Sequence, residues 1–308
     1  MPNNLVSIIM NCHNGEKYLS EAIDSILSQS HSDWELIFWD NCSTDKSSII
    51  LKSYQDPRIK YFKSEKFTSL GEARDLAFRK CTGEYIAFLD TDDIWYNEKL
   101  ERQLNCFEDE VGIVTCNTIF FNEKVKEPLY QKNIQEGYVF EHLLKNYDLS
   151  LETLIIKKKI ALNSNNFFDK NLSYISDFDF FLRLSKICKL KYVPEVLSGW
   201  RVHQESESWR KPNKFNEEKK IFIKKIENFY PELIHNCRKL WIDFKVQTLT
   251  KNVIFLIINK KSKEARIEIM QNFIFNFQVL IIYFLSFFSF SRKVFIFILN
   301  KRKKVKPI

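Results

Sequence analysis

Three carboxylates fall within four positions at Asp90-Thr91-Asp92-Asp93, directly after the apolar run Tyr85-Ile86-Ala87-Phe88-Leu89. Carboxylates this close repel one another and are costly to desolvate, so the cluster needs a counter-charge. In an extended segment residues two apart share a face, which lets Asp90 and Asp92 point together at one divalent cation, Mn2+ or Mg2+. A cation held there can bridge a diphosphate and offset the charge that develops as it leaves. An isolated Asp-x-Asp also reads as a solvated acidic loop; its position at the tip of an apolar strand favours the cation.

The sequence contains no GxGxxG and no Walker A pattern, and it has only six Gly in 308 residues, so a backbone-amide phosphate cradle is not expected. Two earlier apolar runs also end in polar clusters, Asn11-Cys12-His13-Asn14-Gly15 and Asp40-Asn41-Cys42-Ser43-Thr44-Asp45. Adjacent strand ends make one crevice, and Asn11, Asn14, Asp40, Asp90 and Thr91 are its candidates for holding a nucleotide-bearing donor. Asp40 could accept a hydrogen bond from a base imide N–H. Ser43, Thr44 and Asp45 read better as caps of the helix that follows.

These residues must be positioned by alternating elements. Short β-type runs at 6–11, 35–40, 59–62 and 85–90 alternate with helical patterns at 16–29, 44–54 and 70–80. That order predicts an α/β fold with a mostly parallel sheet and helices on both faces. From Val111 to His203 the pattern becomes irregular, with strands expected at 111–121, 151–156 and 190–193 and an amphipathic helix at 176–187. Lys-rich helical segments follow. We expect a catalytic domain over 1–210, made of a donor-binding half (1–110) and an acceptor-side half (111–210), then a helical extension over 211–308.

Seven scattered Cys with no CxxC pair fit reduced thiols better than disulfides or zinc. Leu5 to Met10 is too short for a signal h-region and lacks a basic flank, which predicts an unexported, cytoplasmic protein. The net charge of +8 fits nucleic acid, an anionic membrane or a phosphate-bearing substrate, and position has to choose among them. Nucleic acid is not among the expected partners.

Val6-Ser7-Ile8-Ile9-Met10, the turn Asp40 to Asp45, Gly83-Glu84-Tyr85 through Asp93, and Trp200-Arg201-Val202-His203 together resemble the family 2 glycosyltransferases, from residue 5 to about 205. The resemblance implies a GT-A fold, a Rossmann-like mixed sheet flanked by helices. It also implies a nucleotide-diphosphate sugar donor with uridine the expected base, a divalent cation, and inversion at the anomeric carbon. Carried over, Asp40 meets the base, Asp90 the ribose side and Asp92 the metal. The family's further acidic motif is matched by Ser176-Asp177-Phe178-Asp179, making Asp177 the expected general base, with Ser176 a candidate helix cap. Arg74 is a family-like donor-pocket residue, against the plainer alternative of an exposed helix arginine. His203 lies in an expected closing loop, Arg201 to Ser206, as a candidate metal ligand. Asn11-Cys12-His13-Asn14 replaces the usual Pro-Thr-Tyr-Asn, and Asn41 replaces a common second Asp, so base recognition is expected to differ.

The stretch from Ile269 to Leu299 is rich in Phe but interrupted by polar residues, and Lys301, Arg302, Lys303, Lys304 and Lys306 follow. This pattern suits peripheral contact with an anionic membrane, at the cytoplasmic face of the inner membrane, better than a spanning helix. A helical dimer face or core cover is the competing interpretation. A glycan or lipid-linked glycan acceptor follows by family analogy. Two other classes stand beside the transferase: an Mg2+-dependent phosphotransferase using Asp90 as nucleophile, and a non-catalytic, nucleotide-binding membrane scaffold.

Overall fold

Strands β1 (Val6–Cys12) and β2 (Trp34–Asp40) are almost continuously buried, as runs such as Val-Ser-Ile-Ile-Met must be when helices cover both faces of a parallel sheet. The computed structural model describes residues 4–163, 167–203, 211–272, 274, 276–288 and 291–303. β1 pairs in parallel with β2 on one side and with β4 (Tyr85–Phe88) on the other, and β2 pairs in parallel with β3 (Ile59–Lys63). The chain therefore leaves β1 for β2 and β3 and returns to β4 across it. Their carboxyl ends open a crevice at this switch point. Helices α1 (Leu19–Leu27), α2 (Ser47–Ser53) and α3 (Leu70–Phe78) make the crossovers.

Beyond β4 the sheet turns mixed. The order is β3-β2-β1-β4-β8-β6-β9-β5, with β5 at Ile94–Trp95, β6 at Val111–Phe121, β8 at Ile155–Lys157 and β9 at Lys189–Arg201. β7 (Lys126–Pro128) pairs with β6. Helices α4 (Lys99–Leu104), α5 (Phe140–Lys145), α6 (Lys158–Leu162) and α7 (Ser176–Ile187) complete this part.

Three strand expectations change. β4 ends at Phe88, and Asp90 to Asp93 form a turn closed by Asp93 N–H donating to the Asp90 carbonyl at 3.2 Å. The segment 151–156 splits into a 3-10 turn at Leu151–Thr153 and the short β8. The run expected to stop at Val193 continues to Arg201. The register jumps from Cys116–Val193 to Asn117–Val196, so Pro194 and Glu195 stand outside the ladder. A proline lacks the N–H a ladder needs, and a bulge accommodates it.

The chain divides into two compact units, Met1–Ser206 and Glu207–Ile308. The second is helical: α8 (Pro212–Phe229), α9 (Pro231–Ile234), α10 (Arg238–Ile258), α11 (Ser262–Gln271), α12 (Phe277–Leu285) and α13 (Ser291–Lys303). Its core packs Val246, Leu249, Val253 and Ile257 of α10 against Ala265, Ile269, Val279, Ile282 and Phe295. Part of the Phe-rich stretch is thus core cover, broken into separate helices. Among the described residues no helix is long and apolar enough to cross a membrane. The expected boundary near residue 210, the expected closing loop from Gln204, and the tail residues Lys304 and Lys306 lie outside the described residues.

Candidate active site

Arg74 organises the site, and it is buried at 4% exposure, not an exposed helix arginine. Helix α3 starts at a true N-cap, Ser69, whose hydroxyl accepts from Glu72 N–H at 3.0 Å and donates to the Lys170 carbonyl at 2.6 Å. Gly71 lies so close to the 169–172 segment that an added Cβ would stand 2.1 Å from the Asp169 carbonyl oxygen. This close approach carries Arg74 inward. Its guanidinium donates to Ser176 Oγ at 2.8 Å and lies 3.7 Å from Asp90 Oδ1. One cation therefore links the tip of β4 to the first residue of α7. Ser176 is that first residue and not the cap; Ile175 occupies the cap position, with no side-chain cap bond.

Asp177 follows within the same turn, and the Tyr147 hydroxyl donates to Asp177 Oδ2 at 3.4 Å. Burial pushes the Tyr147 phenol well above its ordinary value, with the Asp177 charge adding to it, so Tyr147 stays a donor at physiological pH.

The Asp90–Asp93 turn is clasped by the end of β9. Asp93 Oδ1 accepts from Arg201 N–H at 2.8 Å, Arg201 Nε donates to the Asp92 carbonyl at 2.8 Å, and its guanidinium reaches Glu21 Oε2 at 2.6 Å. His203 Nε2 lies 2.9 Å from Asp92 Oδ2. Thr91 packs against the loop after β1, where a Cβ on Gly15 would stand 2.7 Å from Thr91 Oγ1. Asp90 and Asp92 thus project from a turn and do not share one face of an extended strand.

Electrostatics gather Asp90, Asp92 and Asp177 into one set. The Asp90 side chain keeps 41% of its surface accessible, yet it sits deep enough for desolvation to dominate. Its pKa is pushed up to about 6, Arg74 opposing the shift and the charges of Asp92 and Asp177 adding to it. Burial also raises Asp93 well above the ordinary carboxylate value, with Asp92, Glu152 and Asp90 contributing. Buried Glu152 is raised as well.

The other strand ends are more occupied than their sequence suggested. Asp40 accepts from Ser43 N–H at 2.7 Å and from the Tyr61 hydroxyl at 2.8 Å, closing its own turn. Asn14, at φ 56°, accepts from Thr44 N–H at 2.8 Å and so stitches two loops together. Lys46 holds the cap position of α2 and makes no side-chain cap bond; Asp45, one residue earlier, accepts from Ser47 N–H at 3.0 Å, while Ser43 and Thr44 serve the neighbouring loop. Asn41 binds Thr68 through both ends of its amide. Asn11 differs: its Nδ2 is buried without a hydrogen-bond partner among the described residues. A buried amide of this kind is a donor awaiting an acceptor.

Among the described residues no three His, Cys, Asp or Glu side chains converge as a complete metal cage. Asp92 and His203 supply two neighbouring oxygen and nitrogen donors. Mg2+ and Mn2+ commonly take one or two protein ligands and complete their shell with substrate phosphate oxygens and water, so this set fits a cation that arrives with a diphosphate.

The sequence profile described as Glycosyl transferase family 2 matches residues 7–171. The chain belongs to this family. Among curated relatives, UDP-Glc:alpha-D-GlcNAc-diphosphoundecaprenol beta-1,3-glucosyltransferase WfgD of Escherichia coli is 31% identical over 228 residues, 71% of this chain and 85% of that one. Glycosyltransferases of Rickettsia typhi, Rickettsia bellii and Rickettsia felis are matched over 64%, 31% and 35% of their length, so the chain spans only part of those relatives. Residues 1–349 of S. aureus TarS, solved with UDP, superpose with a TM-score of 0.66 at 17% identity, over 94% of this chain and 91% of that one. The mannosyltransferase PcManGT of Pyrobaculum calidifontis, solved with GDP-Man and Mn2+, gives 0.59 at 14% identity, over 94% and 83%. At these identities the likeness shows the fold, which is GT-A.

Within this family 2 framework, sequence reasoning missed Tyr147, Asp93 and Glu152. Tyr147 sits between α5 and the 3-10 turn, where no periodicity marks a site. Asp93 carried a visible signal as the third carboxylate of the run, but only the turn reveals that it anchors Arg201.

Proposed function

We propose that this chain is an inverting, metal-dependent glycosyltransferase that moves a sugar from a nucleotide-diphosphate donor, with UDP as the leaving diphosphate, to a hydroxyl of a glycan or lipid-linked glycan. The observation that carries the reading is the Arg74 link, which sets the carboxylate turn at the donor crevice beside the helix start bearing Asp177. In this reading Asp177 takes the proton of the acceptor hydroxyl as its oxygen attacks the anomeric carbon. The bond from that carbon to the diphosphate oxygen breaks on the opposite face, and the nucleoside diphosphate departs. Tyr147 orients Asp177. Asp92 and His203 would hold Mn2+ or Mg2+, which supplies Lewis-acid stabilisation of the leaving diphosphate. Asn11, Asn14, Asp40, Asp90 and Thr91 face the donor, with Asp40 toward the base and Asp90 toward the ribose.

The donor and cation assignments are supported by relatives whose names and solved complexes carry UDP-Glc, UDP, GDP-Man and Mn2+. WfgD, by its name, uses a diphosphoundecaprenol acceptor, which supports a lipid-linked acceptor and work at the cytoplasmic face of a membrane, with peripheral contact through the C-terminal unit. Asp90 as a phosphoryl nucleophile fits less well, because its carboxylate is paired with Arg74 and raised to about 6.

The test is release of nucleoside diphosphate from a panel of nucleotide sugars by purified protein with Mn2+ or Mg2+. Asp92→Ala and Asp177→Asn should each abolish release with the circular dichroism unchanged. Metal-dependent nucleotide binding with no turnover across a broad panel would instead establish the scaffold reading.

A further inference from the structure

The helical unit holds a cleft of about 300 Å3 walled by three of its helices. α8 contributes Glu217 and Lys220, and α10 contributes Asn252 and Leu256, each pair one helical turn apart. α11 adds Glu264, Ile267 and Glu268 at i, i+3 and i+4, with Gln271 one turn further on. Such a volume lies at the small end of ligand pockets.

Asn252 points to an occupant. Its side chain lines the cleft at 7% exposure, yet among the described residues its amide makes no hydrogen bond. Buried amides are ordinarily paired, because each has two N–H donors and a carbonyl acceptor to satisfy. One left open toward a cleft can serve a ligand that both accepts and donates.

Charge narrows the class of that ligand. Each carboxylate of the cleft already has a cation: Lys214 lies 2.7 Å from Glu217, Lys261 3.2 Å from Glu264 and Lys220 2.6 Å from Glu268. A cationic ligand would have to compete with these lysines, and an anion would meet three carboxylates against one lysine in the lining. Among the described residues no three acidic, His or Cys side chains converge on a metal position. Leu256 and Ile267 offer an apolar surface too small for a lipid chain. A neutral, hydroxyl-rich ring fits what is left. Each hydroxyl can donate to a carboxylate oxygen and accept from an amide N–H, while the C–H face of the ring rests on Leu256 and Ile267.

We propose that the cleft between α8, α10 and α11 is a non-catalytic site for a neutral sugar residue, with Asn252 as the recognising amide. This goes beyond the transfer reaction, since every residue of the cleft belongs to the helical unit.

The test is saturation-transfer NMR on the full chain without donor, with maltotriose, chitotriose, spermidine and inorganic phosphate as probes. At least one trisaccharide should bind, and Asn252→Leu, which matches the amide in size, should weaken that binding at least tenfold. The same variant should melt no lower than wild type, because no hydrogen bond within the protein is lost. Gln271→Ala, at an exposed position of the lining, should weaken binding severalfold without touching the core. Ile242→Ser, 47% exposed on α10 and outside the lining, should bind like wild type. The proposal is overturned if neither trisaccharide shows binding that depends on Asn252, if spermidine or phosphate shows it instead, or if Asn252→Leu melts lower than wild type. Diphosphate release should be unchanged in Asn252→Leu, so loss of sugar binding and failure of the transferase reading are told apart.

Discussion

The carboxylate turn should cost the metal-free protein stability at neutral pH, and Asp90→Asn measures that cost. Asp90 has its pKa pushed from 3.8 to about 6, a gap of about 2.2, by desolvation and by Asp92 and Asp177 against the pull of Arg74. At about 1.36 kcal/mol for each unit, the gap corresponds to roughly 3 kcal/mol between the ionised and neutral forms. The side chain is 41% exposed, and solvent screening reduces the usable figure to about 1–2 kcal/mol. The sign follows from linkage. The folded state holds its proton more tightly than the unfolded chain, so stability is greatest below the ordinary carboxylate value and falls as pH rises through about 6. An isosteric amide keeps the neutral shape at every pH. Urea unfolding with chelator present should therefore find Asp90→Asn more stable than wild type by about 1–2 kcal/mol above pH 7, and equal to it only well below pH 3.8. Diphosphate release should be lost in the same variant. A variant less stable at neutral pH, or a difference that does not change with pH, would refute the claim that desolvation outweighs the Arg74 pair.

Three further outcomes follow from the same fold. Burial alone would raise Glu35, but hydrogen bonds from Lys60, Ser7 and Thr82 outweigh it and lower the pKa from 4.5 to about 2. Its stabilisation is complete above about pH 4.5 and fades toward pH 2, so Glu35→Gln should cost roughly 3 kcal/mol at neutral pH and flatten the acid limb of a pH–stability curve. Gly71→Ala would set a methyl 2.1 Å from the Asp169 carbonyl oxygen, a backbone atom, and should lower the melting temperature together with donor turnover. Arg74→Met should reduce diphosphate release by more than tenfold, because a charge-assisted hydrogen bond of about 1.5–3 kcal/mol to the site is lost; restored activity in Arg74→Lys would argue for charge alone over the two-armed link to Ser176 and Asp90.

The strands were legible because burial on both faces forces continuous apolar runs, and β1, β2 and β4 stand within two residues of where those runs place them. Helix ends were less legible. The pattern from residue 44 promised a helix, but Ser43, Thr44 and Asp45 are taken up by bonds to Asn14 and Glu16 across the neighbouring loop, and α2 starts at Ser47. β9 was cut short in sequence because Pro194 cannot donate to a ladder, whereas the folded strand takes up Pro194 and Glu195 as a bulge and resumes pairing with β6 at Val196.

Sequence alone determined the chemical inventory: a run of carboxylates after an apolar strand, an acidic residue opening an amphipathic helix, and the order of elements that brings strand ends together. Those features are local, set by residue type and by the periods of strand and helix. Tertiary structure decided the rest. Arg74 became the link between Asp90 and Ser176 because Gly71 lets α3 approach the 169–172 backbone, and Tyr147 met Asp177 across 30 positions of chain. Such pairings depend on distances between elements far apart in sequence, which packing sets and which no spacing along the chain encodes.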